Sequence, residues 1–541
     1  MKKNILYGVL ALALTVFAGC EDLDTLPDGN TTTSKQKEEL AKLDLEKAEA
    51  ASVNAVFSQF SVYMPNEDAL GAERHNDFGF PALMMFMDAN GIDVVSEDNG
   101  YNWTGNSLDY SDRSMTSNES QIVWNTLYAQ VRTANNVIGA ISPESEDPTS
   151  NYYLAQGLGA RAFTYWVLAQ LYQFNYVGNE SAPCVPIVTH ENSDIVAIDG
   201  VGRSTVEEVF ALIQDDLDLA IELLEKAKVA GVKRPDKRYI SLAVAYGLRA
   251  RVNLTMQRWD EAAADASSAI TEATSEGIRP ATIAEVSKPY FNSTTEAQWM
   301  WGIIISETDR VVTSGIVNWP SHMGSLNYGY ANFARGKKIN KSLYDWIPDT
   351  DVRKGWWIDT KGESPILNEE EAKWMAAYEY PAYTHVKFAP FKGEVGTRTN
   401  ANDIPLMRIE EMFLIKAEAE AMAGSAVTGA QTLVNFIKEY RNPEYTFNGS
   451  SAASVQEEVF AHRRVELWGE GLSWFDLMRL KKGVDRRGGG YPDPTMVFNI
   501  PADDPVLLWR IPEKEILANP KLTQADNNPA APTPKPVSDL K

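Results

Sequence analysis

Apolar residues recur at three- and four-residue spacing along most of this chain, the pattern of helices that bury one face. Leu43, Ala50, Val53, Val56, Phe57 and Phe60 predict a helix between Leu40 and Val62. A second run, Gln121 to Ile141, carries Val123, Trp124, Leu127, Val131, Ala134 and Ile138 on one face. Tyr152 to Phe174 is predicted to pair with it, and Gly157, Gly159 and Ala162 leave room for close approach. Ser204 with Glu207 reads as a capping box opening a helix to about Lys228. Further helices are expected at Ile240 to Met256, Asp260 to about Glu272, 405–424 and 426–440. Ala250, Ala262 and Ala269, flanked by Tyr246 and Leu254, match the small-residue skeleton of a tetratricopeptide unit, where close helix contacts exclude bulk.

Two stretches break this rhythm. Residues 88–118 are rich in Asn, Asp, Gly and Ser around Tyr101, Trp103 and Tyr110, and 285–402 are punctuated by Gly, Asn, Pro and Trp. Within the second, WMWGIIIS reads as a buried strand and NWPSHMGSLNYGYANF (318–333) as an aromatic loop. Long loops in a compact protein are usually functional, and their aromatics have to pack or bind. The predicted fold is therefore mainly α, with tetratricopeptide-like pairs (about 40–87, 119–284 and 403–482) scaffolding a loop-rich lobe with a few short strands (about 88–118 and 285–402). Residues 483–541 are expected to form an extended cover, and 40–541 a single body.

The N-terminus changes the picture of location. Lys2 and Lys3 precede an apolar run from Ile5 to Phe17, too short to span a bilayer, then Ala18-Gly19-Cys20. Residues 1–19 read as a lipoprotein signal peptide, Cys20 as the lipidated first residue, and 20–39 as an acidic flexible tether. The start of that tether, Glu21-Asp22, resembles the signal that sends some lipoproteins to the cell surface. With a formal charge of −24 the chain is a poor long-range partner for nucleic acid or other polyanions. Cys184 is the second of two cysteines, so neither a disulfide nor a zinc site is expected once Cys20 carries lipid.

Enzyme chemistry has little to stand on. The five histidines are scattered with no HExxH, and GLSWF around Ser473 lacks a nucleophile elbow's second glycine. Glu411 and Glu418, seven apart on one helix face, are the residues an α-rich glycoside hydrolase would use. Trp124, Trp166, Trp259, Trp468 and Trp474 fall on expected helices and read as core, and at most one of Trp356 and Trp357 is expected to reach a ligand, beside an Asp351–Arg353 pair. The densest stretch, Glu457 to Leu480, is read as a clasp of buried ion pairs in which Arg463, Glu466 and Glu470 share a face and Gly469 and Gly471 turn the chain. Binding chemistry is better represented. Tyr101-Asn102-Trp103 with Asn106, and Trp319 with His322, Asn327, Tyr328 and Tyr330, combine rings suited to sugar C–H faces with groups that hydrogen-bond hydroxyls.

The order and spacing of several segments resemble the SusD/RagB family of outer-membrane nutrient-binding lipoproteins. They are WNTLYAQVRTANNVI (124–138), STVEEVFALIQDDLDLAIELL (204–224), ISLAVAYGLRARVNLTMQRWDEAAADASSAI (240–270), DIPLMRIEEMFLIKAEAEAMAG (403–424), HRRVELWGEGLSWFDLMRL (462–480) and LLWRIPEKEILANPKLTQ (507–524). His462 stands where the family usually has Glu before two arginines. The resemblance implies a lipid-anchored protein on the exterior of the outer membrane. It would capture an oligo- or polysaccharide and pass it to a SusC-like TonB-dependent barrel. It implies no catalysis and no obligatory cofactor, and no metal ligands are assigned. Some members take peptides instead, which leaves a RagB-type peptide-binding component as the alternative. The ligand surface is expected on the loops holding Tyr101, Asn102, Trp103, Trp319, His322, Tyr328 and Tyr330.

Overall fold

Helix starts are fixed by short polar side chains that take up the first free backbone N–H groups. In the computed structural model, which describes residues 45–540, Ser117, Asp147, Thr205, Ser241 and Ser451 play this part. The predicted signal peptide, Cys20 and the tether lie outside the described residues. Eleven helices carry the scaffold: α1 (Leu45–Ser58), α2 (Phe80–Asn90), α3 (Asn118–Ile138), α4 (Pro148–Tyr172), α5 (Val206–Val229), α6 (Leu242–Thr255), α7 (Trp259–Ser275), α8 (Ile409–Met422), α9 (Ala426–Tyr440), α10 (Ala452–Glu466) and α11 (Ser473–Arg479). Packing divides the chain between Ala51 and Ser52, and the scaffold from α2 onward and the irregular lobe both belong to the unit from Ser52.

Neighbours in sequence pack as pairs: α3 on α4, α4 on α5, α6 on α7, and α8 on both α7 and α9. The small residues do what their spacing predicts. Ala250, Ala262 and Ala269 are fully buried. A Cβ on Gly159 would lie 2.7 Å from Ile240, and one on Gly157 would lie 3.1 Å from Val137, so α4 meets its neighbours backbone-close. The capping box of α5 sits one residue later than predicted. Thr205 and Glu208 form it, because the Ser204 backbone is engaged in a short extended pairing with Cys184 and Val185. Of the helix-assigned tryptophans, Trp124, Trp166, Trp468 and Trp474 are core, Trp468 from a turn rather than a helix, while Trp259 is half-buried.

The described residues form three two-stranded antiparallel ladders: β1 (Val94–Val95) with β3 (Lys338–Ile339) inside the irregular lobe, β2 (Trp299–Ile303) with β4 (Ile404–Arg408) joining the lobe to the scaffold, and β5 (Val484–Asp485) with β6 (Asn499–Ile500) in the C-terminal cover. β2 is the predicted buried strand, and β4 runs directly into α8. The lobe's loops keep their backbone polar groups satisfied through buried arginines. Arg486, in the C-terminal cover, donates to the carbonyls of Ala89, Asn90, Gly91, Leu108 and Met496. Arg113 bonds Asn90 and Asp112 and lies 4.2 Å over the Trp509 ring. Beyond residue 523 the cover is extended apart from one short turn, and Val537 N–H donates to the Val497 carbonyl at 2.9 Å.

The clasp is buried and charged as predicted, with much of its pairing reaching outside the stretch. Glu466, fully buried at the end of α10, accepts from Arg441 at 2.8 Å twice, from Arg408 at 3.1 Å and from Arg353 at 3.3 Å. Burial pushes this carboxyl up, but the three guanidiniums overcome it and hold it well below the usual carboxylate range. Glu470 takes Arg408 and Lys387, while Arg463 turns to Asp476 rather than along its own helix face. Arg353 binds Asp351, the predicted pair, and also donates to His462 Nδ1 at 2.8 Å. The His462 imidazole, held neutral by burial, thus accepts a guanidinium N–H where a carboxylate is usual in the family. Gly469 and Gly471 turn the chain at φ of 74° and 70°, and a Cβ on Gly471 would sit 2.9 Å from the Met84 backbone.

Candidate functional site

The β1–β3 ladder decides which loops meet. Val94 pairs with Ile339 and Val95 with Lys338, so the chain leaving β1 at Ser96 and the chain entering β3 at Lys337 emerge from the same end. The two aromatic segments singled out in the sequence are therefore neighbours, although more than 200 residues separate them. Polar bonds sew them together. Asn99 donates to the Phe333 carbonyl at 2.8 Å, and Lys337 Nζ donates to Asn102 Oδ1 at 2.7 Å. Glu97 faces Lys338 at 3.5 Å and Arg335 at 3.8 Å.

Two rows of rings result. In the outer row Tyr101, 52% exposed, lies 5.4 Å from Phe333, 41% exposed, and Phe333 meets Tyr328 edge-on at 6.0 Å. The Arg398 guanidinium sits 4.5 Å over the Tyr328 ring. The inner row runs from the interior outward. Phe78 stacks on His322 (5.5 Å), His322 on Tyr330 (4.6 Å), Tyr330 bonds His75 Nδ1 through its hydroxyl, His75 lies tilted against Trp103 (4.8 Å), and Arg74 lies 5.3 Å over Trp103. Burial drives the His322 pKa down to about 3, so its Nε2–H donates to the His75 carbonyl at 3.0 Å from a neutral ring. Burial lowers His75 as well.

The predicted residues divide by exposure. Tyr101 is exposed, and Trp103 and Tyr328 are half-buried. Tyr330 and His322 are buried and back the stack. Asn102 is buried and fully committed: its amide donates to Ser96 and Glu97, and its oxygen accepts from Thr104 and Lys337. It shapes the loop, and burial lowers the Lys337 pKa to about 7 beside it. Trp319 is 2% exposed and packs edge-on to Phe388 at 4.9 Å, so its ring is not offered to the surface. Asn106 bonds Glu119, and Asn327 is buried against Asn400. Trp356 and Trp357, of which at most one was expected to reach a ligand, are both buried; Trp357 borders a separate cleft of about 850 Å³ beside Tyr344 and Ile366.

Sequence reading passed over Phe333, His75, Arg74 and Arg398. Phe333 closes the aromatic run 318–333 and was legible there. His75, Arg74 and Arg398 are isolated in sequence, and only the tertiary fold brings them to the rings. The acid pair considered for hydrolysis is spent on ion pairs. Glu411 receives Arg251 at 2.9 and 2.5 Å, and Glu418 receives Arg479 at 2.5 and 2.7 Å, all four side chains being buried. Among the described residues, no three His, Cys, Asp or Glu side chains converge as a metal site, and no helix is long and apolar enough to cross a membrane.

Known proteins match both halves of the chain. A family model described as "Starch-binding associating with outer membrane" matches residues 51–254, and the SusD family model matches 330–529. SusD-like protein P2 of Formosa agariphila is 26% identical over 436 residues, covering 75% of this chain and 79% of that one. A SusD-like carbohydrate binding protein from Bacteroides vulgatus superposes with a TM-score of 0.70 at 22% identity, over 89% of this chain and 98% of its own. A SusD superfamily protein from Bacteroides thetaiotaomicron gives 0.70 at 20%, over 90% and 100%. With sequence models matching on either side of the β2 strand and one fold running through nearly all of the described residues, this chain belongs to the SusD/RagB family.

Proposed function

We propose that this protein is a cell-surface glycan-binding lipoprotein that captures an oligo- or polysaccharide and delivers it to a SusC-like TonB-dependent barrel in the outer membrane. The observation that carries the binding role is the double row of rings where the β1 and β3 loops emerge, with Tyr101 and Phe333 exposed and Trp103 and Tyr328 half-buried beside them. Ring faces suit the slightly positive C–H groups of sugars, and nearby amide and guanidinium groups suit their hydroxyls. The family model described as starch-binding and associating with the outer membrane supports the ligand class and the location. The Ala18-Gly19-Cys20 motif supports the anchor.

Calorimetry against a panel of saccharides and peptides tests the reading. Saccharide binding that Trp103→Ala weakens about tenfold without unfolding is expected, the size typical of a ring at the centre of a contact. Binding to peptides alone would assign the protein to the peptide-binding branch instead. Cys20→Ala should leave the protein off the membrane fraction, and co-purification of the wild type with a β-barrel protein tests delivery.

A further inference from the structure

The aromatic surface carries cations that internal pairing leaves free. Most of the scaffold's arginines are consumed by carboxylates: Arg161 by Asp216, Arg251 by Glu411, Arg441 by Glu410 and Glu466, Arg479 by Glu418. Arg398 and Arg310 differ. Both are exposed, and within the described residues neither makes an ion pair or a side-chain hydrogen bond. Each instead lies over a tyrosine: Arg398 over Tyr328 at 4.5 Å and Arg310 over Tyr63 at 4.6 Å. Tyr328 belongs to the outer row, and Tyr63 immediately precedes Met64, whose N–H donates at 2.8 Å to the carbonyl of Asp77, in the segment that carries His75 and Phe78 of the inner row. A guanidinium held over a ring keeps its planar fork ordered and its N–H edge available, the geometry that receives a carboxylate or sulfate.

The carboxylates near these rings are largely occupied. Glu97 faces Lys338 and Arg335, and Glu119 bonds Asn76 and Asn106 while standing 4.0 Å from Arg74. Asp98 lies against Gly105 and Glu73 flanks His75, and neither is in an ion pair with Arg398 or Arg310. The net charge of −24 disfavours polyanions at a distance. At physiological ionic strength the Debye length is about 8 Å, so within contact range the local guanidiniums outweigh remote acids.

Building on the glycan-binding reading, we propose that the saccharide taken by this surface is acidic, its carboxylate or sulfate groups received by Arg398 and Arg310 while its ring faces lie on Tyr101, Phe333 and Trp103. The test is affinity electrophoresis of the mature protein in a neutral set (starch, xylan, laminarin, galactomannan) and an acidic set (pectin, alginate, chondroitin sulfate, carrageenan). Calorimetry on oligosaccharides of any polymer that retards it follows. Retardation is expected in the acidic set, the uronate and sulfate polymers separating the two sources of charge. Arg398→Gln and Arg310→Gln should each weaken the acidic ligand about tenfold, whereas Trp103→Ala weakens any saccharide. Binding confined to the neutral set, or acidic binding unchanged in both arginine variants, overturns this inference and leaves the glycan-binding reading standing. No retardation by either set overturns both.

Discussion

Removing the Glu466 carboxylate should be among the most damaging single changes in the molecule. Four N–H groups from three guanidiniums converge on it at 2.8–3.3 Å, all fully buried. Arg353 would keep Asp351, and Arg408 would keep Glu470 and Glu410, but Arg441 would keep only Glu410. Truncation therefore leaves an excess of positive charge in a dry interior, a situation that typically costs about 3–5 kcal/mol. Glu466→Ala should lower unfolding stability by about 4 kcal/mol. Glu466→Gln should cost nearly as much, because its amide N–H₂ would point at guanidinium N–H groups. Arg441→Met should cost about 3 kcal/mol, and the double variant Arg441→Met/Glu466→Ala should cost about 2 kcal/mol less than the sum, since replacing both partners removes the stranded charge. Urea unfolding followed by tryptophan fluorescence measures all four. A loss below about 1 kcal/mol for Glu466→Ala, or additivity within about 0.5 kcal/mol, would refute the clasp as a mutually dependent network. Loss of ligand by a variant that remains folded would refute its purely structural role.

Other consequences are checked as directly. Trp319→Ala should destabilise by about 3–5 kcal/mol while the protein that remains folded binds ligand normally; a binding loss at unchanged stability would contradict the burial of this ring. Burial lifts the Glu296 carboxyl to about 7 although Asn292, Gln298 and Trp299 donate to it. A carboxyl whose pKa is raised on folding favours the native state at low pH, and that contribution is lost as pH rises from about 4.5 through 7. Glu296→Gln should remove this slope, so between pH 5 and 8 the wild type loses up to about 3 kcal/mol relative to the variant; a pH-independent difference in urea midpoints would sink the assignment. Arg486→Met should strand the loop carbonyls it now satisfies and speed hydrogen exchange of amides across 89–113, whereas unchanged protection would mean that other contacts hold this loop.

The helical half was legible because its signal is local. Periodicity placed α3 to α9 to within a few residues, and small residues marked the close contacts, since both depend on neighbours one turn away. The capping box slipped by one position because Ser204–Glu207 and Thr205–Glu208 satisfy the same pattern, and only the pairing of Ser204 with Cys184 and Val185 chooses between them. In the irregular lobe the informative interactions are remote. Arg486 reaches nearly 400 residues back to the 88–118 loop, which no local pattern reveals. The aromatic loops were identified from composition, but which rings face outward was not. Trp319 is turned inward by Phe388, His322 by Phe78, while Phe333 is carried out to meet Tyr101.

The β1–β3 ladder joins segments that are synthesised far apart, and this sets when the ring surface can exist. The strand Val94–Val95 that leads into this loop has no ladder partner until Lys338 and Ile339 arrive, and Arg486, which anchors the flanking carbonyls of Ala89–Gly91 and Leu108, comes later still. The local helix pairs can form as the chain grows, but long-range pairings must wait for their distant halves. Tyr101 therefore lacks Phe333, and Trp103 lacks Tyr330, until well over half of the chain has been made. Fragments ending before β3 would carry these rings without a site, so binding competence reports completion of nearly the whole polypeptide.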